Sequence, residues 1–94
     1  MRKITIYDYT HGENEHHVLT AEINEKGDLV LAGYDAGESV RERFGDFDFE
    51  YWTFVKVDQV PDLLLQLLKE RFQTIGEFKE WLDKKKITYE VMSF

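Results

Sequence analysis

The sequence predicts an α+β domain: a mostly antiparallel five-stranded sheet with about three helices, in the order β-β-β-α-β-α-α-β. Three observations carry this expectation. Strand-like runs extend from Lys3 to Tyr9 and from His17 to Ile23, with side chains sorted by period two, and from Asp28 to Tyr34 through the apolar Leu29, Val30 and Leu31. A tight-turn tetrapeptide, Asn24-Glu25-Lys26-Gly27, joins two of these runs. Leucines and aromatics recur at helical spacing after Pro61 and again after Thr74. At 94 residues the chain has room for one domain, taken as 1–94, with one modest core supplied largely by seven Phe, five Tyr and two Trp.

In the first strand Ile4 and Ile6 lie on one face and Thr5, Tyr7 and Tyr9 on the other. Thr10-His11-Gly12-Glu13-Asn14 is polar and reverses the chain. The second strand turns Leu19, Ala21 and Ile23 one way, and the third returns through Leu29, Val30 and Leu31. Asp35-Ala36-Gly37-Glu38 has the spacing of a capping box, with Asp35 as N-cap of a short helix to Phe44 that turns Val40 and Phe44 inward. Gly45 follows as its C′ residue.

Phe47 to Val57 is the stretch around which the rest is arranged. One face carries Phe47, Phe49, Tyr51, Thr53, Val55 and Val57; the other carries Asp46, Asp48, Glu50, Trp52, Phe54 and Lys56. This pattern predicts a central strand, half covered at its start and buried on both faces at its end. Pro61 and Asp62 open a helix with Leu63, Leu64, Leu67, Leu68 and Phe72 on one stripe. Thr74-Ile75-Gly76-Glu77 opens the last helix, with Ile75, Phe78, Trp81 and Leu82 inward, and Ile87 to Phe94 alternates as a closing strand.

The formal net charge of −7 disfavours a nucleic-acid partner, since phosphate binding needs clustered Lys and Arg. The one basic run, Lys84-Lys85-Lys86, sits where it complements a helix C-terminus. With no cysteine, disulfides, thiolate catalysis and cysteine-ligated zinc are excluded. No apolar segment follows Met1-Arg2-Lys3, and no stretch approaches a membrane span, so the expectation is a cytoplasmic protein without a membrane partner.

The first candidate site is acidic and aromatic. Asp46, Asp48 and Glu50 project from one strand face about 7 Å apart, with Trp52 beside them and Arg41 and Arg43 on the preceding helix. Asp46-x-Asp48-x-Glu50 opens like an EF-hand loop, but Tyr51 stands where that loop needs glycine. Carboxylates next to an indole suit a basic peptide or an amine, with the arginines ordering the acids by ion pairing. The second candidate is the turn carrying His11, Glu13, Glu15, His16 and His17. It reads first as a solvated turn; imidazoles with carboxylates also suit zinc or copper, although adjacent His16 and His17 face opposite ways on a strand. Nucleophilic catalysis has no support: Gly37-Glu38-Ser39-Val40-Arg41 lacks the last glycine of a nucleophile elbow, and no phosphate loop is present.

Gly27-Asp28-Leu29-Val30-Leu31, Gly45-Asp46-Phe47-Asp48-Phe49-Glu50-Tyr51-Trp52 and the helix from Pro61 resemble a group of short bacterial proteins of unknown function. Their pattern is Gly-Asp-x-Asp-x-Glu-Tyr-Trp followed by a proline-initiated helix, and the likeness spans residues 22 to 94. It implies a bacterial origin and brings no activity, cofactor or site residue. The functional expectation is a non-catalytic module that binds a protein or a basic small molecule through Asp46, Asp48, Glu50 and Trp52. Its alternatives are a carboxylate-dependent hydrolase or lyase on the same face and a metal-binding module at the His-rich turn. As an assembly, the chain is expected to be a monomer or an edge-paired homodimer.

Overall fold

The structure, a computed structural model, describes residues 2–12, 14–45 and 48–93. The chain forms two compact units, residues 1–60 and 61–94. In the first, β1 (Arg2–His11), β2 (Glu15–Ile23), β3 (Leu29–Ala36) and β4 (Asp48–Val55) make a four-stranded antiparallel meander in the order β1-β2-β3-β4. Helix α1 (Glu38–Phe44) bridges β3 and β4. The second unit holds α2 (Val60–Arg71, whose first residue belongs to the sheet unit) and α3 (Ile75–Lys84).

Directly opposed residues in an antiparallel ladder point to the same face, so the register sorts every side chain. One face carries Ile4, Tyr7, Tyr9 and His11 from β1 and Glu15, His17, Leu19, Ala21 and Ile23 from β2. Leu29, Leu31, Gly33 and Asp35 continue it on β3, then Phe49, Tyr51, Thr53 and Val55 on β4. The opposite face carries Asp8, His16, Val18, Thr20, Ala32, Tyr34, Asp48, Glu50, Trp52 and Phe54. A register shift between Thr5 and Tyr7 moves Ile6 off the alternation, which is why Ile4 and Tyr7 share a face although their spacing is odd.

The hairpin turn between β2 and β3 forms as the sequence predicts. Gly27, at φ 85°, donates its N–H to the Asn24 carbonyl (2.9 Å), and Asn24 Oδ1 accepts from the N–H of Lys26 and Asp28 (3.0 Å each). Asp28 is buried at 4% exposure; its Oδ1 accepts the Val57 N–H at 2.8 Å, and Lys56 Nζ stands 3.5 Å from Oδ2. Asp28 thereby ties the end of β4 to the β2–β3 turn. Asp28→Ala orphans the Val57 amide, at a cost of about 1–3 kcal/mol. The expected result is a lower urea midpoint with an unchanged m-value; an unchanged midpoint would show the clamp to be dispensable.

In the second unit Thr74 caps α3 by accepting the Glu77 N–H (3.1 Å), while the Glu77 carboxylate accepts the Gln73 N–H (3.0 Å). Phe72 packs edge-on to Phe78 (5.2 Å) and Trp81 (5.7 Å), and Leu82 is buried. On α2 the expected stripe is split: Leu63, Leu68 and Phe72 are half-buried, whereas Leu64 and Leu67 are exposed.

Three expectations are corrected. The sheet has four strands, because among the described residues nothing after α3 joins a ladder; Ile87, Tyr89 and Val91 alternate but remain exposed. Alternation specifies which side chains would share a face, whereas a strand also needs a partner for its N–H and C=O groups. Second, β4 is an edge rather than a central strand, and its distal half is open: Trp52 is 56% and Phe54 58% exposed. In a meander each strand pairs with its sequence neighbour, and among the described residues no strand flanks β4 on its outer side. Third, Asp35 is not the cap of α1. It lies within β3, and Gly37 occupies the N-cap without a side-chain bond of its own. Val40 is buried and Gly45 closes the helix at φ 86°, both as expected; the Phe44 and Phe47 side chains lie outside what is described.

Candidate metal centre

The β1–β2 hairpin picks three residues out of the histidine-rich turn and sets them on one face. His11 ends β1 and lies directly opposite Glu15, the first residue of β2; His17 lies two residues on, on the same face and opposite Tyr9. Nε2 of His11 is 3.1 Å from Nε2 of His17, and Glu15 Oε2 is 3.8 Å from the latter. The three ligand atoms all fall within 4.8 Å of one another. Ligands around a tetrahedral zinc at about 2.0–2.1 Å stand about 3.3–3.4 Å apart, so the widest pair would close by about 1 Å or a little more around an ion.

Each of the two inner ligands is held from behind. His17 Nδ1 donates to Asp35 Oδ1 at 2.8 Å; in the neutral ring this makes Nε2 the lone-pair nitrogen, to which His11 Nε2–H points. A carboxylate on the far nitrogen of a ligating imidazole is the usual device for fixing ring orientation and raising donor strength. Glu15 is anchored to α1: Oε1 accepts the Ser39 N–H (3.0 Å) and Oε2 the Ser39 hydroxyl (2.8 Å). This carboxylate from β2 therefore caps the helix in place of Asp35. Gly37 permits it, having φ 130° and no side chain; a Cβ there would meet the Glu15 carboxylate and the Asn14 carbonyl.

The Ser39 amide, then its hydroxyl, and then the two imidazoles hold the Glu15 carboxyl below the ordinary carboxylate range. The acid is therefore ionised at neutral pH, as a ligand must be. Side-chain exposure is 14% for Glu15, 19% for His17 and 27% for Asp35, while His11 is exposed, so the set is walled on one side and open on the other. Tyr9 helps to form the wall, its ring 5.2 Å from that of His17 and 6.0 Å from that of His11, with Tyr7 a further 5.5 Å on.

Tyr51 links this cluster to the middle of the sheet. Its ring lies across Gly33, its cross-strand partner, where an added Cβ would overlap ring atoms Cε2 and Cζ. Burial, hydrogen bonding to Tyr7 and the charge of Asp35 push its phenol up to about 12. Unfolded tyrosine ionises near 10, so between about 10 and 12 the native chain holds the extra proton and stability falls as pH rises. Tyr51→Phe should remove that alkaline loss and the late-titrating phenol resonance; a Tyr51 signal that titrates near 10 contradicts it.

Of the residues expected at the turn, His16 belongs to the other face, where its Nε2 donates to Asp8 (2.8 Å), and Glu13 lies outside the described residues. On β4, Asp48, Glu50 and Trp52 do share one face. Asp46 lies outside the described residues. Arg41 and Arg43 sit at the end of α1, with Arg41 3.8 Å from Glu38. Asp35, expected as a helix cap, and Ser39 were not read from the sequence as supports of this site. Their only signal would have been the strand register that sets Asp35 opposite His17, and the register needs the ladder.

Among the described residues no helix is long and apolar enough to cross a membrane. No family model, curated protein or solved structure matches the chain.

Proposed function

We propose that this chain is a metal-binding module whose site, His11, Glu15 and His17, takes a late first-row divalent ion such as zinc or copper. The observation that carries the reading is the 3.1 Å approach of the two Nε2 atoms beside an ionised carboxylate. Two imidazoles favour zinc and copper over calcium and magnesium, which prefer all-oxygen shells. Asp35 and Ser39 support the reading because they preset the direction of His17 and Glu15 before any ion arrives.

The test is a zinc titration of metal-free protein followed by nuclear magnetic resonance. The ring resonances of His11 and His17 should shift together at a one-to-one stoichiometry, those of His16 should stay in place, and magnesium should have no effect. Equal movement of all three histidines, or none at millimolar zinc, removes the proposal.

A further inference from the structure

The opposite face of the sheet holds a second feature with different chemistry. A slot of roughly 210 Å³ crosses β2, β3 and β4, with Val18, Thr20 and Ala32 among its lining residues, together with Tyr34, Trp52 and Glu50. The register explains its shape. Tyr34 is paired directly with Glu50 and Ala32 with Trp52, so the small Ala32 leaves room between two aromatic rings two positions apart, and a carboxylate lies beside them. His16 meets the Tyr34 ring edge-on at 6.1 Å and is itself tied to Asp8. Pockets for drug-sized ligands span about 300–1,000 Å³, so this slot suits the end of one side chain.

We propose that the slot binds a lysine side chain presented by an extended segment of a partner protein that pairs with the outer edge of β4. Three observations select this occupant. Two aromatic side chains beside a carboxylate, Tyr34 and Trp52 with Glu50, are the elements that recognise an alkylammonium by cation–π and ionic attraction. Glu50 is the one charged side chain that lines the slot, and Asp48 follows it on the same face of β4, on a chain of net charge −7. Finally, β4 ends the sheet, and an added strand would turn every second side chain towards this face. The surface is separate from the metal centre, so either stands without the other.

The probe is a synthetic heptapeptide with lysine at alternate positions, compared with the same peptide carrying glutamine there, observed by nuclear magnetic resonance on the full chain. The lysine peptide should shift the Trp52 indole N–H and slow hydrogen exchange along β4, and the glutamine peptide should not. Glu50→Gln and Trp52→Ala, both at solvent-exposed positions, should each weaken binding about tenfold with little change in melting temperature, read for Trp52→Ala from the β4 amides. Equal response to both peptides, undiminished binding by Glu50→Gln, or a Trp52 indole shielded from a soluble paramagnetic agent in the free protein would overturn the proposal.

Discussion

Zinc should raise the melting temperature of the wild-type chain and leave His17→Ala unmoved. An ion that binds only the folded state stabilises it by RT ln(1 + [L]/Kd), about 2.7 kcal/mol at a hundredfold excess over Kd. For a domain this size each kcal/mol moves the midpoint by about 4–8 °C, so the expected rise exceeds about 10 °C. His17 is the pivotal ligand because it alone touches both other ligands and Asp35. Its loss leaves His11 and Glu15 without the nitrogen that lies between them, and affinity should fall at least about a hundredfold. Asp35→Asn keeps all three ligands but weakens the hold on the His17 ring, so a loss of about 10–100-fold is expected. His16→Ala, on the other face, is the internal control. A midpoint rise that survives His17→Ala would place the ion elsewhere and reject the centre.

The largest structural effect should come from Gly33→Val. Gly33 is buried and paired with Tyr51, and the ring occupies the volume a side chain would need. Its backbone is not in the left-handed region, so the cost is one of volume. Overfilling a packed site costs about 1–3 kcal/mol, and here the displaced group is a whole ring. Moving it also breaks the contacts of Tyr51 with Tyr7 and Asp35. The variant should therefore unfold at lower urea, return the Tyr51 phenol towards 10, and bind zinc more weakly because Asp35 supports His17. A double-mutant cycle isolates the cause: in a Tyr51→Ala background the penalty for Gly33→Val should largely vanish. An equal penalty in both backgrounds would show that the ring is not what excludes the side chain.

Much of the local structure was legible without coordinates because it depends on neighbours in the chain. Asn24 to Gly27 makes its turn with its own backbone and side chain, Gly45 ends α1, and Thr74 caps α3 within one helical turn. The sharing of one β4 face by Asp48, Glu50 and Trp52 follows equally from period two. Period two also separated His16 from His17. The candidate centre was visible only as a histidine-rich turn. Selecting His11, Glu15 and His17 from it requires knowing that residue 11 stands opposite residue 15. Recognising Asp35 and Ser39 as their supports requires β3 and α1 in place, because those contacts join residues 18 and 24 positions apart.

Residue order alone determined an acidic, cysteine-free α+β chain, the positions of its turns and caps, and which side chains share a strand face. Tertiary structure alone decided that β4 lies at an edge, that residues 87–93 add no fifth strand, and that a glutamate on β2 caps α1 while it faces two imidazoles. The division is physical. Backbone geometry and capping bonds are satisfied within a few residues, whereas strand pairing and a three-ligand cluster join segments whose approach depends on the register of the ladder as a whole.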